Sequence, residues 1–270
     1  MGFKIMIYSK YLKIKNIILM IKSKLKSLLK HYIFPSKLLK LSKKLFNDKV
    51  GLEIGGISNA SFSEIGFMPI YPFVKNIDNC TFSNNTIWEG ILEQGFNYSY
   101  YKNKEKGYQY ILEGSILDSI PSDNYDFLLA SHSLEHIANP IKALKEWLRV
   151  VKPNGYIVLV LPNKKVTFDH RRPITEFSHL LDDFKNDTTE EDLTHLDEIL
   201  ELHDLTRDPA AGDFKSFKLR SQNNVSNRCL HHHVFDVTLI QEVINYLNLK
   251  LVLVEESTSL DILAIAQKLT

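Results

Sequence analysis

The sequence predicts an α/β fold, a mostly parallel sheet with helices on both faces, and three observations carry that prediction. Val50-Gly-Leu-Glu-Ile-Gly-Gly-Ile-Ser-Asn59 reads as a short apolar strand that ends in an acid and a glycine-rich turn opening toward a helix. The runs Tyr125 to Leu129 and Tyr156 to Leu161 are apolar on both sides, as strands covered on two faces are. Asn139-Pro140 and Asp236 are helix starts, each followed by apolar residues at three- and four-residue steps.

Composition sets the outer bounds. With 270 residues, 44% of them hydrophobic, the chain can bury a full core. The net charge of +1 hides an asymmetry: residues 1–49 hold 13 lysines against one acid, Asp48, a net +12 that leaves −11 for the remainder. Such polarity belongs to surfaces and partners rather than to the fold. Cys80 and Cys229 are too few for a disulfide framework, and with no convincing secretory signal they read as reduced thiols in the cytoplasm.

Residues 1–49 form a basic N-terminal extension. Ile14, Ile17, Ile18, Ile21, Leu25, Leu28 and Tyr32 recur at helical spacing, with Lys15, Lys22, Lys26 and Lys30 on a flanking face. The longest apolar run there, Ile17 to Ile21, is far short of the roughly 20 residues that span a bilayer. Two readings stay open, a helix packed as a lid and a helix lying on an anionic membrane surface. Ser36 to Phe46 then leads into the first strand.

In the first strand and turn, Gly55 and Gly56 let backbone approach a ligand closely, and Glu53 can accept hydrogen bonds from a ribose or an amine. Ile57 and Asn59 stand where a dinucleotide fingerprint would have glycines, so a pyrophosphate-binding turn is poorly supported. Phe73 to Asp78 reads as the second strand, placing Asp78 at its end as a ribose-binding carboxylate. Thr86 to Gly95 is a helix candidate with Trp88, Ile91 and Leu92 inward, and Tyr108 to Leu112 is the third strand, followed by Glu113-Gly-Ser115. The Tyr125–Leu129 strand is central and delivers Ser131, His132, Ser133, Glu135 and His136 at its carboxyl end, where open α/β sheets bind ligands. Ile141, Leu144, Leu148 and Val151 form the buried stripe of the next helix, which Pro153-Asn-Gly155 ends in a turn before the Tyr156–Leu161 strand.

Leu-Glu-Ile-Gly-Gly at 52–56, Tyr125-Asp-Phe-Leu-Leu-Ala-Ser-His-Ser-Leu-Glu-His136 and Leu148-Arg-Val-Val-Lys-Pro-Asn-Gly-Tyr-Ile-Val-Leu-Val-Leu-Pro-Asn163 together resemble class I S-adenosylmethionine-dependent methyltransferases of the type 11 kind. The resemblance implies a Rossmann-like seven-stranded sheet whose last strand is antiparallel, with core residues 50–162 and 235–270. It implies S-adenosyl-L-methionine as cofactor, held by Glu53, Gly55, Gly56, Asp78, Glu113, Gly114 and Ser131, with Glu113 meeting the adenine amine and the Gly114 N–H the ring. The chain closes in keeping with that family, with a helix striped by Ile240, Val243, Ile244 and Leu247 and two strands, Lys250 to Glu255 and Asp261 to Ala266.

Residues 163–234 depart from a minimal core. Asn163 to Phe235 contains seven of the ten histidines and five of the six arginines. Guanidinium groups bind carboxylate or phosphate as two-pronged donors, so the stretch reads as a substrate-recognition insertion with Arg171, Arg172 and Arg228 as anion-binding residues. The alternative is a cap salt-bridged internally through Asp182, Asp183, Glu190, Glu191 and Asp192. Its two densest blocks, Phe168-Asp-His-Arg-Arg-Pro173 and Arg228-Cys-Leu-His-His-His-Val-Phe-Asp236, resemble a methyltransferase subgroup met in bacterial surface-polysaccharide gene clusters. A divalent cation is possible but not favoured: on a strand His231 and His233 face one way and His232 the other, so the three cannot share one ion unless the backbone turns sharply.

These readings lead to methyl transfer onto an oxygen of a small anionic acceptor such as a sugar, nucleotide-sugar or phosphorylated glycan precursor. His132 is the first candidate base, with His170 and His232 behind it. Nucleic acid is disfavoured as a partner, because residues 50–270 are net acidic. The competing class is a cofactor-fold scaffold or regulator without turnover, which would not require the dense His/Arg insertion. The expected location is the cytoplasm, with peripheral membrane contact through residues 1–49 left open.

Overall fold

The computed structural model describes residues 37–258 and 260–270, so the amphipathic segment Ile14 to Tyr32 lies outside the described residues. Helix α1 (Lys37–Phe46) leads to β1 (Val50–Ile54), a one-turn helix α2 (Asn59–Phe62), β2 (Asn76–Thr81), a small hairpin of β3 (Asn85–Thr86) and β4 (Gly90–Ile91), then β5 (Gly95–Tyr98) and β6 (Gly107–Ile111). The central strand β7 (Tyr125–Ser131) is followed by a 3₁₀ turn at Leu134–His136, α3 (Pro140–Val150) and β8 (Val151–Pro162). Helices α4 (Phe177–Lys185), α5 (Leu196–Leu202), α6 (Phe214–Gln222) and α7 (Asn224–Asn227) make up the insertion, and α8 (Val237–Tyr246), β9 (Lys250–Glu256) and β10 (Asp261–Gln267) close the chain.

One sheet of order β5-β6-β2-β1-β7-β8-β10-β9 runs through the molecule. β6, β2, β1, β7 and β8 are parallel, whereas β10 lies antiparallel between β8 and β9. The sheet is Rossmann-like, as expected, with eight strands instead of seven because β5 adds antiparallel to the free edge of β6. Its two faces explain the two-sided apolar strands. Leu52, Leu128, Ile157 and Leu159 pack against Ile141, Leu144 and Trp147 of α3 and Ile240 and Val243 of α8. Phe127, Leu129, Val158 and Val160 meet Phe46 of α1 with Phe62, Met68 and Tyr71 on the other side. Fully burying each such side chain contributes about 1.5–3 kcal/mol, so the sheet positions the strand ends firmly.

The capping residues behave as their types dictate. Asn139 accepts from the Lys142 N–H with Pro140 in the first helical turn, and Asp236 accepts from the Leu239 N–H. Three elements differ from the sequence reading. β2 begins at Asn76, because Phe73 is still in the preceding turn, where its N–H donates to Ile70 O and its carbonyl accepts from Asp48 N. Thr86 to Gly95 is the β3–β4 hairpin and not a helix: Gly90 and Gly95 sit at φ +73° and +137°, and Trp88 and Ile91 are exposed. Pro153-Asn-Gly155 is an irregularity inside the continuous strand β8, with Asn154 at φ +63°, and not a turn between helix and strand. Among the described residues no helix is long and apolar enough to cross a membrane.

Candidate active site

The glycine turn after β1 is held from three sides at the carboxyl ends of the parallel strands. Asn79 Nδ2 donates to Glu53 O (3.1 Å) and Gly55 O (2.6 Å), and Ser133 Oγ donates to Ile54 O at 3.0 Å. Gly55 takes φ +94°, and a Cβ there would stand 2.5 Å from Ser133 Oγ, so only glycine fits. Over Gly56 lies Glu89 from the β3–β4 hairpin, its Oε1 2.6 Å from where a Cβ would be and accepting from the Ile57 N–H at 3.2 Å.

The three acids assigned to the cofactor are each engaged within the protein. Glu53 is wholly buried, accepting from Tyr71 OH (2.8 and 2.9 Å) and Tyr98 OH (2.7 Å). Burial pushes its carboxyl up to about 7 despite the tyrosine hydroxyls that pull it back down. Glu53 therefore supports the turn from beneath and does not project into the crevice. Asp78 lies in mid-strand opposite Leu52, and its carboxylate accepts from Tyr108 N (2.7 Å) and from the hydroxyl of Tyr125, the first residue of β7. Its carboxylate is thus spent toward the end of the sheet remote from Ser131, which removes it as the ribose ligand. Glu113, at the end of β6, is paired with Arg228 Nη2 at 2.8 Å. Gly114 is buried beneath the crevice, its carbonyl accepting from Trp147 Nε1, and Ser131 Oγ lies 3.1 Å from Ser61 Oγ.

Past β7, His132 adopts φ +50° and places Nε2 2.9 Å from Asp261 Oδ1 and Nδ1 3.6 Å from Glu135 Oε1. Burial opposes its charge, but the two carboxylates outweigh burial and raise the imidazole to about 10. At neutral pH His132 is an imidazolium and not the free base that the sequence suggested. Glu135 has no solvent exposure, and neither of its oxygens has a hydrogen-bond partner. Burial alone would raise its pKa, yet the nearby His132, His136 and His231 hold it below the usual range. The His136 Nδ1–H donates to Leu230 O (3.1 Å) and the His231 Nδ1–H to Asp169 (2.6 Å), which leaves each Nε2 clear of those bonds; with Glu135 the two rings form a group able to hold a cation.

The insertion supplies a different set of groups from the one expected. Arg172 is 1% exposed and bound to Asp169, Glu198 and the carbonyls of His231 and His232, so it braces the fold and cannot meet a substrate. Arg228 is spent between Glu113 and Glu190, with its guanidinium over Phe82. His232 is likewise removed as a base: it is 1% exposed, its Nε2 meets Asn224 Nδ2, and burial lowers it to about 4. His170 pairs with Asp204 at 2.9 Å, and Arg171 keeps 52% of its side chain exposed with Asp204 at 3.4 Å. Sequence reasoning passed over Glu89 of the hairpin, which meets the turn; Trp88, expected inward on a helix, instead meets His136, and Glu190, named for an internally salt-bridged cap, pairs with Arg228. The only signal for the hairpin was its pair of glycines.

Residues 26–207 match the family model described as a methyltransferase domain. No curated protein matches the sequence. Among solved structures, the chain is similar to a S-adenosylmethionine-dependent methyltransferase from Aquifex aeolicus, at 14% identity over 91% of this chain and 97% of that one with a TM-score of 0.45. It is also similar to a putative one from Listeria monocytogenes (16% identity, 86% and 98% covered, TM-score 0.46) and to one from Mesorhizobium loti (11%, 85% and 95%, 0.48).

Proposed function

The chain belongs to the methyltransferase-domain family, and on that premise we propose that it is a S-adenosylmethionine-dependent enzyme that methylates an oxygen of a small anionic acceptor. The observation that supports the cofactor is the glycine turn at the strand ends, where Gly55 at φ +94° leaves no room for a side chain. Bound there, S-adenosylmethionine would supply a methyl group on a sulfonium with a good leaving group. Phe82, Ser83, Leu92 and Ile111 line an open groove at the ends of β2 and β6 that offers apolar walls to a flat base. Glu113 stands beside it and can accept from an exocyclic amine once Arg228 gives way. The remaining tasks of the protein are alignment of the acceptor oxygen and removal of its proton.

For the acceptor we favour a sugar, nucleotide-sugar or phosphorylated glycan precursor. Arg171 supports it, an exposed two-pronged donor in the insertion, together with the half-exposed His132 imidazolium at the end of β7. The proposed setting is polysaccharide biosynthesis in the cytoplasm. There the +12 segment 1–49 would touch an anionic membrane face, each lysine contributing about 1 kcal/mol, which co-sedimentation with anionic vesicles at physiological salt tests. A screen of anionic sugars and nucleotide-sugars with methyl-labelled cofactor tests the acceptor. Label should reach an acidic sugar, and Arg171→Lys should raise the apparent acceptor KM with kcat retained. Transfer to a neutral lipid or a peptide instead overturns the acceptor class and leaves methyl transfer standing.

A further inference from the structure

The triple histidine at 231–233 is not on a strand, so the alternation that spoke against a shared ion does not apply. His233 meets two histidines of the insertion, His179 on α4 and His195 at the start of α5, with ring centroids 5.7 and 5.6 Å away. One ligand atom from each of the three lies within 4.8 Å of the others. A fourth donor joins them: Asp183, one helical turn after His179, is 7% exposed, and its Oδ2 has no hydrogen-bond partner. That oxygen stands 3.4 Å from His179 Nε2 and 3.6 Å from His233 Nε2, while His179 Nε2 and His195 Nε2 face each other at 2.9 Å.

We propose that His179, Asp183, His195 and His233 bind one zinc ion that fastens the insertion to the core. Zinc takes four ligands in structural sites, with Zn–N and Zn–O distances of about 2.0–2.2 Å, which puts neighbouring ligand atoms about 3.3–3.5 Å apart in a tetrahedron. The His179–His195 and His179–Asp183 separations, 2.9 and 3.4 Å, lie close to that spacing before any ion is bound. Two facing imidazole nitrogens can hold only one proton between them, and shifting it to Nδ1 of its own ring turns both lone pairs toward the ion. The His233 Nε2–H donates to Ala138 O at 3.2 Å and its Nδ1 is buried without a partner, so the ring offers its lone pair to the ion at Nδ1. Three imidazoles and one carboxylate suit zinc better than magnesium or calcium, which want oxygen donors. Asn139 Nδ2 donates to Asp183 O at 2.9 Å, so the residue that caps α3 also holds the backbone of the site. The proposal is independent of methyl transfer.

The test is metal content and cobalt spectroscopy on the full chain. Purified protein should carry one zinc per chain by elemental analysis. Metal-stripped protein given Co²⁺ alone should develop the strong visible absorption of four-coordinate cobalt. His195→Ala and Asp183→Asn, checked for folding by circular dichroism, should each lower zinc affinity by about 10-fold or more, whereas Glu135→Gln, in the separate Glu135–His136–His231 group, should keep it. No stoichiometric zinc together with no four-coordinate cobalt spectrum in wild-type protein overturns the proposal without recourse to any variant. Loss of zinc in Glu135→Gln with retention in Asp183→Asn overturns it too, by moving the ion to the other group.

Discussion

Glu53→Gln isolates the cost of keeping a carboxyl beneath the glycine turn. The side chain has no solvent exposure, and its pKa is raised from 4.5 to about 7 by burial, against the pull of the Tyr98 and Tyr71 hydroxyls. A raised carboxyl binds its proton more tightly folded than unfolded, so folding stability falls as pH rises from about 4.5 to about 7. Integrating that difference between pH 5 and pH 8 gives a loss of about 2.5 kcal/mol attributable to this one group. Glutamine keeps the shape and the hydrogen bonds, since its oxygen accepts from one tyrosine and its amide donates to the other, and it cannot ionise. Urea unfolding of both proteins at the two pH values should show wild type and variant close at pH 5 and the variant ahead by about 2.5 kcal/mol more at pH 8. A gap that does not change with pH, or that changes in the opposite sense, would refute the reasoning.

Asp78→Ala should leave S-adenosylmethionine affinity unaltered in calorimetry and lower stability by about 1–3 kcal/mol, because it strips the partners from Tyr108 N and Tyr125 OH; weakened cofactor binding in a folded variant would restore the ribose role. Arg172→Met should destabilise by about 3–5 kcal/mol in chemical unfolding, since it leaves Asp169 buried with one fewer cation, and a neutral result would mean that the cluster is not bracing the insertion. For His132, whose pKa is raised to about 10, the neutral form grows about tenfold per pH unit between 7 and 10, so turnover limited by its basicity should climb with pH in that range. Its stabilising pairing with Asp261 and Glu135 is present in full below about 6.5 and is lost as pH rises through about 10. A flat rate profile, or His132→Ala with unchanged kcat, assigns the proton to another group.

The parts of the fold written in local chemistry were legible in the sequence. Asn139-Pro140 and Asp236 cap their helices as their side chains require, and the two-sided apolar runs of β7 and β8 lie inside the sheet. Where tertiary context decides, the residues misled. Trp88, Ile91 and Leu92 have helical spacing, yet Gly90 and Gly95 in the positive-φ region turn the segment into a hairpin. Asp78 stands at the expected distance from Glu53, but β2 starts late and carries it into mid-strand. Arg171 and Arg172 are adjacent in sequence with opposite fates, one exposed and one sealed behind Asp169, Glu198 and two carbonyls, because only the packed insertion decides which guanidinium is desolvated. Likewise His231, His232 and His233 serve three separate environments once the segment leaves the alternation of a strand.

The most direct test of the account is isothermal calorimetry of the full chain with S-adenosylmethionine, S-adenosylhomocysteine and NAD. The glycine turn, the groove beside Phe82 and the family predict one site per chain for the first two and none for NAD. Folded protein that binds NAD, or that binds neither S-adenosylmethionine nor its product, would contradict it.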